Sequence, residues 1–311
     1  LESMWRPENY SGKFYGPTRL REALVHSRNL VSIRLLQATG VDYVVDYLSR
    51  FGFDPKELPR NLSLALGSKS LTPLQMAQAY AVFANGGYRV KAYSVDALED
   101  LRGQTVMTAS PLLACAACAG TVAAPAGGTA AADATGVTAP LPDQAPQTVT
   151  PQNTYLITSA LKDVILRGTG VRARVLGRKD LAGKTGTTND QRDAWFAGYN
   201  ADLVTTAWVG FDETAPLGRL ETGARAALPM WIEFMGKALK GTPEHSLPEP
   251  AGLVTVRIDK ETGDLAGSDD PQAMFETFLA DRVPTQHTAR HTAGADTTAP
   301  QKDHTSPEQL F

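Results

Sequence analysis

The ten residues LAGKTGTTND at 181–190 place a lysine between two glycines and follow it with threonines. Such residues occur in two kinds of site, a phosphate-binding loop and a strand edge that holds a carboxylate. A phosphate-binding loop needs G-x-x-x-x-G-K-[S/T], because its length sets the nest of backbone N–H groups. Here five residues separate Gly177 from Gly183, and the segment after Lys184 is β-branched and turn-like. The pattern therefore disfavours a nucleotide site.

A strand edge suits this segment better. Alternation along a strand puts Thr185 and Thr187 on one face, where two hydroxyls can hold a carboxylate. Gly186 has no side chain, so the backbone of a ligand can approach and pair with the edge. Lys184 adds a positive charge beside the same place. Taken alone, the threonines would more often be ordinary strand residues.

Two other short patterns could carry chemistry. Ser27 and Asn29 form S-x-N, and in an extended turn residues two apart point the same way. Alone, this pattern is typical of a helix cap. Ser159 and Lys162 form the one S-x-x-K, one turn apart on a predicted helix. So loose a pattern often occurs by chance.

Helices and a small sheet must position these residues. Apolar spacing and cap residues predict five helices, at 17–26, 30–52, 71–87, 154–167 and 228–240. The second of these helices is predicted to be interrupted near Gly40. The helix at 71–87 has a capping box formed by Thr72 and Gln75. Alternating runs separated by short polar turns predict an antiparallel meander at 180–188, 193–200 and 203–212.

The remaining segments are less regular. Residues 103–150 are rich in Ala, Thr, Pro and Gly, which predicts an insertion. Residues 253–266 predict a small hairpin or an edge unit, and the chain beyond 283 is predicted to be disordered. Cys115 and Cys118 form either a local disulfide or two idle thiols.

Composition limits the classes of function. Of 311 residues, 42% are hydrophobic and 20% charged, which is typical of a globular protein. The net charge of -3 gives no support to nucleic-acid binding. The longest apolar run, at 112–119, is too short to span a bilayer. The cysteine pair has no Cys or His partner in the next hundred residues, so we predict no metal site and no cofactor.

Six segments are distinctive when they are taken together: GKFYGPTRLREALVHSRNLVSIRLL, ALGSKSLTPLQMAQAYAVFANGGY, RGTG, GKTGTTND, DAWFAGY and GLVTVRIDKETG. They resemble the transpeptidase domain of class A penicillin-binding proteins, and the C-x-x-C insertion is similar to the 1A type. The resemblance covers most of 7–102 and 152–280.

The resemblance implies an α/β (α+β) fold, with an antiparallel sheet flanked by helices, as in penicillin-binding proteins and serine β-lactamases. We expect the fold to be incomplete at its N-terminus. Residues 1–282 would form the transpeptidase fragment, with the insertion at 103–150, and 283–311 a disordered tail. No cofactor is implied.

The implied activity is cross-linking of peptidoglycan stem peptides that end in D-Ala–D-Ala, through a serine acyl-enzyme that β-lactams trap. Ser27 would relay protons, Asn29 would bind the substrate backbone, and Lys184 would hold Ser27. The Thr187 N–H would be one oxyanion-hole donor. The residues implied to bind substrate are Thr185, Gly186, Thr187 and Thr188.

One departure from the family concerns the nucleophile. In the family S-x-x-K precedes S-x-N, whereas no S-x-x-K precedes Ser27 and Ser159 follows it. We expect the nucleophile, a glycosyltransferase domain and a membrane anchor before Leu1, in a parent on the periplasmic face of the bacterial inner membrane. This chain alone should not acylate. The alternatives are a serine β-lactamase-like hydrolase and a non-catalytic peptidoglycan-binding module.

Overall fold

The computed structural model describes residues 5–114 and 144–287. In these ranges the α-helices are α1 (Leu20–Val25), α2 (Asn29–Thr39), α3 (Val41–Leu48), α4 (Pro73–Ala84), α5 (Pro151–Arg167) and α6 (Leu228–Ala238). The strands are β1 (Ala97–Glu99), β2 (Thr105–Thr108), β3 (Ala182–Thr187), β4 (Ala194–Tyr199), β5 (Val204–Val209), β6 (Leu253–Asp259) and β7 (Ala273–Leu279). Cys115 and Cys118, most of the predicted insertion and almost all of the predicted tail lie outside the described residues.

A three-stranded antiparallel sheet carries the K-T-G segment. Its strands lie in the order β3-β4-β5, which confirms the predicted meander. Lys184 pairs with Ala197, and Thr187 pairs with Ala194. In the part of the chain that the structure describes, no strand pairs with the outer side of β3. The outer edge of β3 is therefore open to the extended backbone of a ligand.

Helix α6 covers one face of this sheet. Its Trp231 ring is fully buried and stands edge-on to Phe196, with ring centroids 4.8 Å apart. Trp231 Nε1 donates to the carbonyl of Thr205 at 3.1 Å, which satisfies its one polar atom. A Cβ at Gly198 would lie 2.7 Å from Trp231 Cζ2. The absence of a side chain at Gly198 therefore lets the indole lie directly on β4.

A second buried cluster joins α1, α4 and α5 to the other face of the sheet. It contains Val25 at the end of α1, Val164 in α5, and Ala182 and Tyr199 on β3 and β4. Val25 is fully buried and lies two positions before Ser27. Because burial of apolar side chains drives folding, this cluster fixes where the turn after α1 begins.

Local sequence rules are confirmed in the helical region. Helices α2 and α3 meet at Gly40, whose φ of 94° lies in the left-handed region that a glycine adopts without strain. Helix α4 begins behind Thr72, and the capping box of Thr72 and Gln75 is present.

Two helix starts and one strand are among the differences from the prediction. Helix α1 begins at Leu20, because Arg19 is still extended with φ -60° and ψ 142°. Helix α5 begins at Pro151, because the Thr150 side chain accepts a hydrogen bond from the N–H of Asn153. Strand β2 lies in the segment predicted to be an irregular insertion, although its residues are all exposed. Ala145 and Val149 in the same segment are buried, so the prediction that the segment lies wholly outside the core is wrong.

The C-terminal strands form a separate two-stranded sheet. Strand β6 pairs along its whole length with β7. The chain also turns back on itself within 253–266, where Ile258 forms an antiparallel bridge with Leu265, so the predicted hairpin is present as a short turn at the end of β6. Ion pairs hold this sheet against the start of α1. Arg21 Nη2 lies 2.6 Å from Glu276 Oε1, and Arg19 Nη1 lies 3.2 Å from Glu276 Oε2. These long-range pairs determine where β7 docks, and no local pattern predicts them.

We expect Trp231→Ala to lower the free energy of unfolding by about 3–5 kcal/mol, because it removes a large buried side chain and leaves a cavity. Phe234→Ala on the same helix is the matched control, since Phe234 is 50% exposed, and it should cost less than about 1 kcal/mol. Urea unfolding of the chain measures both values. Equal losses would contradict the packing described for α6.

Candidate active site

The S-x-N and K-T-G segments meet through one contact. Lys184 Nζ donates to Ser27 Oγ at 2.8 Å, although the two residues are 157 positions apart. The same nitrogen donates to the backbone carbonyl of Thr185 at 2.8 Å. The structure thus brings together two of the three residues predicted to be catalytic, and these two bonds fix the lysine head between α1 and β3.

Ser27 lies in a tight turn. Its φ is 53°, in the left-handed region that non-glycine residues seldom adopt. The turn is closed by hydrogen bonds from Ser27 N–H to the carbonyl of Leu24 and from Arg28 N–H to that of Ala23. The expected extended turn is therefore wrong, because α2 starts only two residues after Ser27. A strained conformation of this kind commonly marks a functional position.

Asn29 is not joined to this pair. It is the first residue of α2, and its Nδ2 donates to the backbone carbonyl of Glu8 at 2.9 Å. The bond ties the N-terminal segment to the start of α2. The assignment of Asn29 as a substrate-binding residue stays a prediction.

The two threonine hydroxyls of β3 are each held by a neighbouring loop. Thr187 Oγ1 accepts a hydrogen bond from Gly223 N–H at 3.0 Å. Thr185 Oγ1 lies 2.7 Å from Thr169 Oγ1, with either atom able to donate. Both hydroxyls therefore have fixed positions beside the strand edge, as two groups that hold one carboxylate require.

Gly186 and Thr188 have structural partners of their own. A Cβ at Gly186 would lie 3.1 Å from Trp195 Cβ on the neighbouring strand, so the glycine also makes room for this indole. Thr188 Oγ1 accepts a hydrogen bond from the N–H of Asp193 at 2.8 Å, which closes the turn between β3 and β4. The role of Thr188 in substrate binding stays a prediction.

A cleft of about 620 Å³ runs along β3. One wall is strand β3 with its lysine and threonines, and the tryptophans Trp195 and Trp208 lie beside it. The other wall comes from the helical region and is mainly apolar, with Leu48, Phe53, Leu58, Leu64, Leu71, Met76 and Tyr80. The β3 wall, with the Lys184 ammonium and the threonine hydroxyls, suits the anionic end of a ligand.

The ammonium of Lys184 is the charge on the β3 wall of this cleft. Burial lowers the pKa of Lys184 to about 8. In residues 5–114 and 144–287, no carboxylate forms an ion pair with it. A buried ammonium with only neutral partners favours an anion beside it, because the anion offsets the cost of desolvation.

The S-x-x-K pair lies elsewhere. Ser159 and Lys162 line a separate cavity of about 300 Å³ that does not include Lys184. Ser159 Oγ accepts a hydrogen bond from Arg21 Nη2, and Lys162 Nζ donates to Ser246 Oγ. Burial lowers the pKa of Lys162. No hydrogen bond connects Ser159 to Lys162 or to the cleft in the described part of the chain.

Sequence reasoning missed Thr169 and Gly223 as partners of the two threonines. Thr169 lies in the R-G-T-G segment, where two glycines around a threonine could have signalled a tightly packed loop. Gly223 lies in an Ala-rich segment without such a signal.

The described residues contain no cluster of His, Cys, Asp and Glu suited to a metal ion. None of the helices in these ranges has the length and apolarity to cross a membrane.

The comparison with known families decides between the candidate classes. Residues 2–215 match the penicillin binding protein transpeptidase domain. The chain belongs to the penicillin-binding protein transpeptidase family. Residues 249–293, which include β6 and β7, match the penicillin-binding protein 1A C-terminal domain. This second match supports the 1A type over a serine β-lactamase-like hydrolase.

Individual relatives agree with this assignment. The chain is 46% identical over 304 residues to penicillin-binding protein 1A of Pseudomonas aeruginosa, covering 91% of this chain and 37% of that protein. Penicillin-binding protein 1A of Neisseria lactamica is 42% identical over 252 residues, with 81% of this chain and 28% of the relative covered. The chain thus spans between a quarter and two fifths of these relatives.

A solved structure confirms the fold. Penicillin-binding protein 1A of Haemophilus influenzae superposes with a TM-score of 0.80 and 37% sequence identity, over 93% of this chain and 44% of that one. The predicted transpeptidase fold, with helices flanking an antiparallel sheet, is therefore correct for this penicillin-binding protein domain.

We expect Lys184 to lose its proton near pH 8. Its pKa in the folded chain is lowered, so the ammonium exists below about pH 8 and the cleft loses this charge above it. An NMR titration of the lysine side-chain carbons, with the Lys184 signal assigned by its loss in Lys184→Gln, measures the midpoint. A midpoint near the ordinary lysine value of about 10.4 would contradict the burial described.

Proposed function

We propose that this chain forms part of the active site of a peptidoglycan D,D-transpeptidase that works through a serine acyl-enzyme. The contact of Lys184 with Ser27, beside the open edge of β3, is the observation that carries the proposal. The reaction transfers the acyl group of the penultimate D-Ala of one stem peptide to a serine, and the terminal D-Ala leaves as an amine. An amine of a second stem peptide then takes the acyl group.

Each of these residues has a separate role in the proposed reaction. Lys184 donates to Ser27 Oγ, so the serine proton remains available for exchange with the leaving and attacking amines. Thr185 and Thr187 hold the terminal carboxylate, aided by the positive potential of Lys184. Substrate backbone lies along β3 as an added strand, where Asn29 contributes one further hydrogen bond.

The oxyanion needs donors of its own. The backbone N–H of Thr187 is one of them, and loss of such a donor typically slows acylation by about 10²–10³-fold. Gly186 and Thr188 flank it on the strand and complete the substrate-binding edge. The tight register of β3 on β4 supports this role, since it fixes the direction of every N–H on the strand.

The acylating serine and its lysine come from a part of the parent protein outside this chain. Two observations support this. Ser159 and Lys162 lie in a cavity separate from the Lys184 cleft. The apolar wall of that cleft is a surface beside Lys184 against which a helix carrying the nucleophile packs in the parent protein. Covalent catalysis needs the nucleophile and its base within hydrogen-bond reach, so this chain alone does not acylate.

The parent is a bifunctional synthase with a glycosyltransferase, anchored in the inner membrane and active on its periplasmic face. Its partners are stem peptides that end in D-Ala–D-Ala, and it binds β-lactams as mimics of that dipeptide. The similarity to PonA1 of Mycobacterium tuberculosis supports the last point. That protein has 24% sequence identity and a TM-score of 0.59, and its structure holds penicillin V.

Labelling with a fluorescent penicillin tests this function. The chain as given should stay unlabelled on a denaturing gel, and the parent protein should form an adduct at a serine of an S-x-x-K before Leu1. Lys184→Ala in the parent should slow labelling by at least about tenfold, because a hydrogen bond and a charge are lost. Lys179→Ala, which changes an exposed lysine, is the matched control.

Three results would contradict the proposal. Labelling of the chain itself, at Ser159 or elsewhere, would mean that its active site is complete. Reversible muropeptide binding by the parent without any adduct would favour a non-catalytic module. Rapid release of hydrolysed penicillin would favour a β-lactamase.

A further inference from the structure

Thr169 bridges the two halves of the cleft. It lies in the loop that follows α5, and its Oγ1 is 2.7 Å from Thr185 Oγ1 on β3. Its backbone N–H donates to the carbonyl of Val25 at 3.3 Å, two positions before Ser27. One residue thus contacts both the strand that would hold the substrate carboxylate and the helix that leads to Ser27.

The loop around Thr169 has little room to move. A Cβ at Gly168 would lie 2.4 Å from the Val25 carbonyl oxygen, and one at Gly170 would lie 3.3 Å from the Val164 carbonyl oxygen. The N–H groups of both glycines donate to that Val164 carbonyl at the end of α5. Backbone packing therefore fixes the position of the Thr169 hydroxyl.

The direction of the hydrogen bond between the two hydroxyls is decided by what Thr185 must do. A carboxylate only accepts hydrogen bonds, so Thr185 can hold one only by donating its single hydroxyl proton. Thr187 already has this arrangement. Its oxygen accepts from the N–H of Gly223, which leaves its own proton free for a ligand. For Thr185 the corresponding donor behind the hydroxyl is Thr169.

We propose that Thr169 is a positioning residue, which donates its hydroxyl proton to Thr185 Oγ1 and so directs the Thr185 proton to the ligand carboxylate at the edge of β3. The inference rests on the proposed function, since it assigns a role in holding the carboxylate of stem peptides and β-lactams. In the opposite direction, Thr185 would face the carboxylate with lone pairs, and the two groups would repel. An anionic ligand therefore selects the bond from Thr169 to Thr185.

The parent protein with benzylpenicillin and its methyl ester tests this role. Thr169→Val keeps the shape of the side chain and its backbone bond to Val25 but removes the hydroxyl. We expect acylation by benzylpenicillin to slow about tenfold, the typical effect of one hydrogen bond that supports a charged group. Acylation by the ester, which has no carboxylate, should change less than about twofold. The ratio of the two rate constants does not depend on the amount of folded enzyme.

Two further variants separate positioning from structure. Thr169→Ser keeps the hydroxyl and should restore the wild-type ratio. In a Thr185→Val background, Thr169→Val should change the ratio no further, because the group that it orients is gone. An equal slowing with both compounds, or a full extra effect in the Thr185→Val background, would overturn the positioning role while leaving the proposed function intact. A wild-type parent that neither compound acylates would overturn the proposed function itself.

Discussion

The position of one ammonium group organises this domain. Lys184 Nζ is held between Ser27 Oγ and the carbonyl of Thr185, and burial lowers the pKa of Lys184 to about 8. A buried ammonium is stable only where acceptors satisfy its N–H donors. The turn after α1 and strand β3 must therefore lie in an accurate position relative to each other. A shift of β3 by one residue would move the lysine to the opposite face of the sheet. The pairing of Lys184 with Ala197 excludes that shift.

Glycines allow this meeting because they let backbones touch. A Cβ at Gly223 would lie 2.3 Å from the carbonyl oxygens of both Gly186 and Trp195. At Gly168 it would lie 2.4 Å from the carbonyl oxygen of Val25. These distances are far below any real contact, so a side chain at either place would push a loop away from the cleft. The hydroxyls of β3 are thus positioned by backbone packing, which leaves their outer sides available to a ligand.

Much of this arrangement could be predicted from sequence, where the rule is local. The capping box of Thr72 and Gln75, the break at Gly40 and the meander that begins at β3 each follow from residues within one or two turns. The K-T-G strand was also predicted correctly, because β-branched residues after Lys184 exclude the helix of a phosphate loop. The resemblance to the penicillin-binding family implied that Lys184 holds Ser27, and the structure has their 2.8 Å contact.

What could not be predicted depends on partners distant in sequence. Asn29 donates to the carbonyl of Glu8, which no pattern around residue 29 indicates. Strand β6 pairs with β7, which begins at Ala273 and lies beyond the range predicted for the hairpin. The sequence around Thr169 does not distinguish it from other loop threonines, because its partner Thr185 lies 16 residues away. The left-handed φ of Ser27 likewise follows from how closely α1 and α2 adjoin.

The C-terminal strands are part of the same support. Arg21 is largely shielded from solvent, and its contacts with Glu276 and Asp163 join β7 and α5 to the helix that leads to Ser27. Charges removed from water need well-placed partners, and moving β7 away would leave Glu276 without its two arginines and each arginine with one carboxylate fewer. Helix α1 is therefore held from two sides, by the 168–170 loop and by β7. The match of 249–293 to a C-terminal domain marks a boundary between two sequence families. The ion pairs nevertheless connect β7 to the helix that leads to Ser27 and the Lys184 cleft.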